Sequence, residues 1–514
     1  MIGLQKRFDG TASLLPSFGR GCPRSSLASS IFALLLVVGI MLAGCAVGPD
    51  FERPDAPSVD RYTAEPLPGA TASAAAAGGA AQRFLVGRDI PAEWWQVFHS
   101  APLNALIEEA LKANPTVTAA EAALRQAHEL TLAGKGAFFP TVQAGFNASR
   151  SKTAQSLSPA TASGNLYYSL YTAQLSVSYV PDVFGGTRRQ VEALVAQEEN
   201  QRFQLEAAYL TLTANLVAAV VTEASLRGQI AATEEIISVQ RQSLDILHRQ
   251  LGLGQVAGAD VAAQEAALAQ AEATLPPLRK QLAQQRHLLA VLIGRVPSDQ
   301  PKAAFGLASL HLPEELPVSL PSRLVEQRPD IRAAEEELHA ASAQIGVAIA
   351  NMLPQISLSA NGGSTALMIG SLFGPGTAFW TVAANAAQTI FDAGTLLHKK
   401  RAADAALDQA AAQYKATVLT GFQNVADALR AIQSDADGLV AATAAERAAA
   451  NSLAIARRQL AIGAVNYLAL LNAQNTYQQA LNNLVQAQAA RFADTAALFQ
   501  ALGGGWWNRD KPSG

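Results

Sequence analysis

The sequence predicts a mainly α-helical protein with a small β-strand contribution, built as two copies of one structural repeat. Three observations carry this expectation. First, landmarks recur in order: Pro115 and Pro140 reappear as Pro329 and Pro354, each 214 residues on, and Gly254 reappears as Gly463, 209 residues on. Fixed spacing of several landmarks is the mark of internal duplication. Second, long proline-free tracts carry apolar residues every seven positions, the period of coiled-coil packing. Third, short tracts alternate polar and apolar residues, the period of a strand with two different faces.

Composition narrows the class. Of 514 residues, 50% are hydrophobic but only 6% aromatic and 15% charged, which suits Ala-rich helices packed closely. The net charge of -3 gives no electrostatic case for a nucleic-acid partner. The seven histidines show no ligand spacing with one another or with cysteine, so neither a metal nor a cofactor is expected. No catalytic cluster stands at motif spacing, and an enzyme is not expected.

Residues 1–44 read as a signal peptide. Its apolar run, Ile31 to Ala43, is too short to span a bilayer as a helix. It ends in Leu42-Ala43-Gly44-Cys45, which resembles the bacterial lipobox. Cleavage there makes Cys45 the new N-terminus, carrying an N-palmitoyl and an S-diacylglycerol group; an ordinary signal with a chance cysteine is the alternative. Cys22 leaves with the leader, so the mature chain has no cysteine pair. Residues 45–93, rich in Ala, Pro and Gly without periodicity, are expected to form an extended, lipid-anchored segment.

The first repeat spans 94–296. A helix opens at Asn114-Pro115 and ends before Pro140. Strands are expected at about 141–149 and 171–180, joined by a Ser-rich loop at 151–165. Asp182 in the turn Pro181 to Gly186 suits a cap more than a catalytic acid, since no partner acid or histidine accompanies it. A long helix then follows, proline-free from Thr187 to Gln250, with Ile230, Ile237, Leu244 and Leu251 in one heptad register. After a tip near Gly254, the returning helix keeps Val261, Leu268, Leu275, Leu282 and Leu289 in register. Pro276-Pro277 is expected to bend or interrupt it.

A Pro-rich connector, 297–322, leads to the second repeat, 323–503. Its strands are expected at about 355–361 and 379–391, with Ile356, Leu358 and Ala360 on one face and Ser357, Ser359 and Asn361 on the other. Asp392 repeats the role of Asp182. The hairpin tip lies near Gly463, and Leu470, Tyr477, Leu484 and Leu498 share a register that Arg491 breaks. Residues 504–514 read as a flexible tail.

Four amphipathic strands cannot close a barrel alone, and open strand edges are not tolerated in lipid. Copies must therefore pool their strands, with the long hairpins forming a tunnel below.

The residues that carry a family likeness now stand together. They run from Leu320-Pro321-Ser322 through Arg328-Pro329-Asp330-Ile331 and Gly346-Val347-Ala348 to Leu353-Pro354-Gln355-Ile356-Ser357-Leu358, with Trp94-Trp95, Phe98 and Phe391-Asp392-Ala393-Gly394 in support. The sequence resembles the outer-membrane efflux protein family of TolC- and OprM-like channels, in its NodT-type lipoprotein branch. The resemblance implies a homotrimer: a 12-stranded barrel in the outer membrane over an α-helical periplasmic tunnel. It implies passive export as the exit duct of a tripartite pump, with a periplasmic adaptor and an inner-membrane RND-type transporter as partners. Ala46, after the lipidated cysteine, favours sorting to the outer membrane by the same analogy.

By resemblance the periplasmic tips form the gate. Leu468, Leu471, Asn472 and Asp260 are the gate candidates. Aspartates that TolC-like members carry are replaced here by Ala469 and Asn472, which argues against an acidic ring. Leu468 and Leu471 fit a coiled-coil core equally well, and Asp260 fits a helix cap. Gly254, Gln255, Gly463 and Ala464 are the adaptor-contact candidates, although tip glycines also serve backbone geometry. Trp94 and Trp95 are expected to pack at the tunnel's equator rather than at the membrane interface. Three other readings compete. The same fold can serve as exit duct for type I protein secretion, a periplasmic adaptor would show one hairpin rather than two, and an anchored enzyme would need the side-chain clusters that are missing.

Overall fold

The computed structural model of the chain describes residues 46–154 and 166–509. The leader expected at residues 1–44, Cys45, most of the first strand-connecting loop and the last five residues lie outside them.

The chain begins with a long irregular segment and the short strand β1 (Arg83–Val86). Then come α1 (Ala101–Ala113), α2 (Pro115–Lys135), β2 (Thr141–Lys152), β3 (Tyr167–Tyr179), α3 (Gly186–Gly252) and α4 (Gly258–Leu292). The connector carries β4 (Glu315–Val318). The second repeat holds α5 (Pro321–Gln327), α6 (Pro329–Ala350), β5 (Gln355–Ala366), β6 (Ala378–Ala387), α7 (Thr395–Ala461) and α8 (Tyr467–Ala501).

The duplication is quantitative. The outgoing helices α3 and α7 are both 67 residues long, and the returning helices α4 and α8 are both 35. At about 1.5 Å per residue, 67 residues reach about 100 Å. Each outgoing helix starts after a left-handed glycine, Gly185 (φ 77°) or Gly394 (φ 86°). Asp182 caps the first by accepting from the N–H of Thr187 (2.8 Å), and Asp392 caps the second by accepting from that of Leu396 (2.7 Å). Both aspartates satisfy helix N–H groups that have no intrahelical partner.

The four strands form one antiparallel sheet in the order β2-β3-β5-β6. Its register sorts the side chains strictly. Val142 pairs with Val177, Val177 with Ala360, and Ala360 with Val382, so these four share one face. Phe146, Leu175 and Trp380 lie on that face too, while Gln143, Ser176, Asn361 and Thr381 line the other. The apolar face is uncovered: Val142, Phe146, Trp380 and Val382 are 66, 59, 79 and 72% exposed. Strands β2 and β6 are the sheet's free edges, and they run in opposite directions. An edge-to-edge joint between copies would therefore continue the antiparallel order.

The main core lies where the two repeats meet, below the sheet. Trp94, Phe98, Leu103, Ile107, Leu216, Leu289, Leu429, Phe492 and Phe499 are buried there together. Trp94 stacks on Phe499 with ring centroids 5.5 Å apart, so the Trp pair packs inside at this level. α3 has the length and apolar composition of a membrane span, but Leu212, Leu216, Val217 and Val220 belong to this core.

Four expectations need correction. Of the bend or interruption expected at Pro276 and Pro277, the interruption does not occur: α4 continues through both. Both prolines are exposed, so the carbonyls they leave unbonded are open to water. Arg491 does not break burial on α8; it is 1% exposed, and both its terminal nitrogens donate hydrogen bonds. The chain after Gly503 is docked through residue 509: Trp506 donates to the Gln327 carbonyl (2.7 Å), and Trp507 donates to Asp89 (3.0 Å). Last, the strand expected to reach Phe391 ends at Ala387, and Ile390 and Phe391 stand 90 and 88% exposed beyond it.

Candidate functional site

The two hairpin tips are built alike. Each outgoing helix ends in a left-handed glycine, Gly254 (φ 69°) or Gly463 (φ 72°). The next residue reaches back five positions: Gln255 N–H donates to the Gln250 carbonyl (2.9 Å) and Ala464 N–H to that of Gln459 (2.8 Å). This is the Schellman closure, which only a residue free to adopt positive φ permits without strain. Gly254, Gln255, Gly463 and Ala464 are all exposed, and open space surrounds both glycines. The turns thus explain the glycines by backbone geometry and leave their surfaces accessible.

The gate candidates separate. Leu471 is 5% exposed and packs with Leu247, Val261, Leu453, Tyr467 and Leu470 in a core between the tips. Leu468 is 57% exposed, and Asn472, one helical turn on, is exposed beside it. Asn475, Gln479, Asn483 and Gln486 continue that exposed stripe up α8, and no Asp, Glu, Lys or Arg occurs from Tyr467 to Ala490. Asp260 turns back on its own helix, accepting from the Ala257 N–H (3.3 Å), as an N-terminal cap does.

A buried polar link between the hairpins escaped the sequence reading. The Tyr467 hydroxyl donates to Gln264 Oε1 (2.7 Å), and the Gln264 amide donates to the Gln240 carbonyl (2.8 Å). Gln264 is fully buried. The chain of bonds ties α8 to α4 and α3, and burial pushes the Tyr467 hydroxyl up to about 12. The residue types are unremarkable at their spacing, so only the packing reveals them. Just above lies a cavity of about 260 Å³ between α3, α7 and α8, lined by Glu235, Gln240, Arg457, Gln474 and Tyr477.

The other end of the shaft holds the first of the described residues. Val47 N–H donates to the Phe184 carbonyl (3.1 Å), and Arg189 donates to the Val47 carbonyl (3.1 Å) and to Asp50 (2.6 Å). Ala46 lies so close to Gly185 that a Cβ there would stand 2.5 Å from its Cα. The chain therefore emerges at the turn that joins β3 to α3. Between the two ends, Arg328 grips Asp330 with two bonds (3.0 and 2.6 Å) and donates to the Ala501 carbonyl at the end of α8 (2.7 Å). A cation there meets the negative end of the helix dipole, which explains the Arg-Pro-Asp string locally.

Among the described residues, no group of three or more His, Cys, Asp or Glu side chains is arranged to hold a metal ion. The features gathered are an uncovered amphipathic sheet, a long double hairpin and a tip without charge on its exposed α8 face. A family model described as outer membrane efflux protein matches residues 106–295 and 320–504, well over half of the chain. The chain belongs to the outer membrane efflux protein family. The two matched segments fall on the two structural repeats and leave out most of the connector between them.

Members of this family are channel proteins of the outer membrane, and the chain is one of them rather than an enzyme. It is 30% identical over 477 residues to the probable efflux pump outer membrane protein TtgC of Pseudomonas putida, covering 92% of this chain and 96% of that one. It is 28% identical over 482 residues to the solvent efflux pump outer membrane protein SrpC of Pseudomonas putida, covering 93% and 97%. Among solved structures, the outer-membrane channel OprN superposes with a TM-score of 0.79 at 27% identity, over 90% of this chain and all of that one. The fold is thus that of the TolC-like outer-membrane channels, mostly helical with few strands.

Proposed function

We propose that the chain is the exit duct of a tripartite efflux pump, carrying small molecules such as drugs passively out through the outer membrane. In this reading three copies pool their four-stranded sheets into one 12-stranded barrel, and their hairpins enclose a tunnel below. A periplasmic adaptor and an inner-membrane RND-type transporter complete the pump, the transporter supplying the energy. The observation that carries the proposal is the sheet. One face is apolar and uncovered, the other polar, and its two free edges run in opposite directions. Lipid accepts such a sheet only when closure removes the edges.

The gate, in this reading, is a Leu468 constriction with Asn472 one helical turn above it. Leu471 backs it from the tip core, and Asp260 holds the start of α4. The exposed turns at Gly254, Gln255, Gly463 and Ala464 offer the adaptor its contacts. Cys45 carries the acyl chains. Its neighbour Ala46 lies against Gly185 at the foot of the barrel, which supports an anchor in the inner leaflet beside the barrel.

Size measurement and crosslinking of the detergent-extracted mature protein test the duct. A trimer from outer-membrane fractions is expected, and a monomer there would defeat the proposal.

A further inference from the structure

Arg150 and Lys152 stand apart from the rest of the barrel. All four strands lie within residues 136–181 and 340–391, and these are the only two Asp, Glu, Lys or Arg residues in both ranges. Both sit at the far end of β2, away from the helices. Both also occupy even positions, on the side of Val142, Phe146 and Ala148. The ladder is intact to this point, with Arg150 opposite Ser169 and Lys152 opposite Tyr167, so the parity holds. The two cations therefore project from the apolar face.

Nothing among the described residues neutralises them. Neither has an ion-pair or hydrogen-bond partner among the described residues. The loop that follows, 153–166, contains no acidic residue. An aromatic ring lies close by: the Lys152 ammonium is 5.3 Å from the centre of the Tyr167 ring. A cation on the lipid face is costly at the midplane of a bilayer and nearly free at the headgroup level. A Tyr is at home at that level as well. The patch thus marks the height at which hydrocarbon gives way to charged headgroups.

We propose that Arg150 and Lys152, with the Ser169 and Tyr167 hydroxyls beside them, bind the phosphate of a lipid headgroup in the outer leaflet. Guanidinium and ammonium groups donate charge-assisted hydrogen bonds to phosphate oxygens, and hydroxyls supply further donors. The occupant is a phosphorylated lipid rather than free phosphate, because the donors share a face with Phe146 and Ala148, on which acyl chains lie. The proposal rests on the barrel reading. Three copies would carry three such sites around the rim.

The test uses the full-length protein purified in detergent and titrated with lipid A as the probe. R150Q/K152Q should bind lipid A roughly 30-fold more weakly, the effect of removing two basic contacts at a membrane surface. Dephosphorylated lipid A should bind the wild type as weakly as lipid A binds the variant, and inorganic phosphate at matched concentration should not displace lipid A. Equal binding by wild type and variant overturns the proposal, as does displacement by inorganic phosphate. R150Q/K152Q should still assemble in the outer membrane. A wild-type chain that fails to assemble sinks the duct reading itself, whereas an assembled channel indifferent to both substitutions sinks this site alone.

Discussion

Arg491 on α8 donates a 2.9 Å hydrogen bond to the side-chain oxygen of Gln82, a residue more than 400 positions earlier in the chain. Both are buried. Arg491 also holds the Gly78 carbonyl (2.8 Å), while the Gln82 amide donates to the Pro313 carbonyl (3.1 Å) and to Thr495 (3.2 Å). One buried node thus fastens the N-terminal segment and the connector to the last helix.

Arg491→Leu should loosen that segment. It strands the Gln82 oxygen and the Gly78 carbonyl without donors, at a cost of about 2 kcal/mol or more. Limited proteolysis should cut within residues 46–90 faster than in the wild type, and the thermal midpoint should fall. Unchanged cleavage would show that the segment is held elsewhere.

Asp435 on α7 meets Asp494 on α8 close to Arg491. Burial, and then the neighbouring Asp494 carboxyl, push Asp435 up to about 7 despite the opposing pull of Arg491. The folded state therefore holds its proton more tightly than the unfolded chain does. The stability that Asp435 contributes should be full below the ordinary carboxylate range and be lost as pH rises from about 4 to about 7. Asp435→Asn should flatten that decline and melt higher at pH 7. Parallel melting-against-pH curves for the two proteins would refute this assignment.

Tyr467→Phe keeps the ring and removes the donor to Gln264. The oxygen left unpaired inside the tip core costs about 1–3 kcal/mol. The tips should part more readily, giving longer open times in planar bilayers while the overall melting temperature barely moves. Identical conductance traces would mean that this bond does not restrain the tips.

The two faces of the sheet predict opposite tolerance. Val382→Arg puts a cation on the uncovered apolar face midway along β6, where lipid exacts roughly 2–4 kcal/mol. Thr381→Arg, one residue away, points to the polar side and should assemble nearly as well as wild type. Folding yield into lipid vesicles reads the difference, and equal yields would contradict the assigned faces.

Cys45→Ser should abolish incorporation of radioactive palmitate while leaving assembly intact. Persistent labelling would rule out Cys45 as the acylated residue.

The repeat, the long helices and the sidedness of the strands were legible because each is written in periodicity. The proline and glycine landmarks locate the same turns in both halves, and alternation separates Ile356 and Leu358 from Ser357 and Ser359. Strand β2 was read short because Arg150 and Lys152 interrupt the apolar alternation; on an outward face that interruption carries meaning rather than ending the strand. The tip was legible only in part. Leu468 and Leu471 are equivalent by spacing, and packing against Leu247 and Leu453 decides that Leu471 is the buried one. Tyr467 and Gln264, 203 positions apart, meet only once both hairpins fold. Arg491 reads as a flaw in a heptad because its acceptors come from the far end of the chain.

The equal lengths of the two hairpins set a rule for how this molecule can change. Removing one heptad from α3 alone would shorten that arm by about 10 Å, leaving α4 overhanging and the Gly254 turn out of level with Gly463. Growth or shrinkage of the shaft must therefore come in matched sets of four, one in each long helix. Among natural variants, insertions in these helices should appear together or not at all.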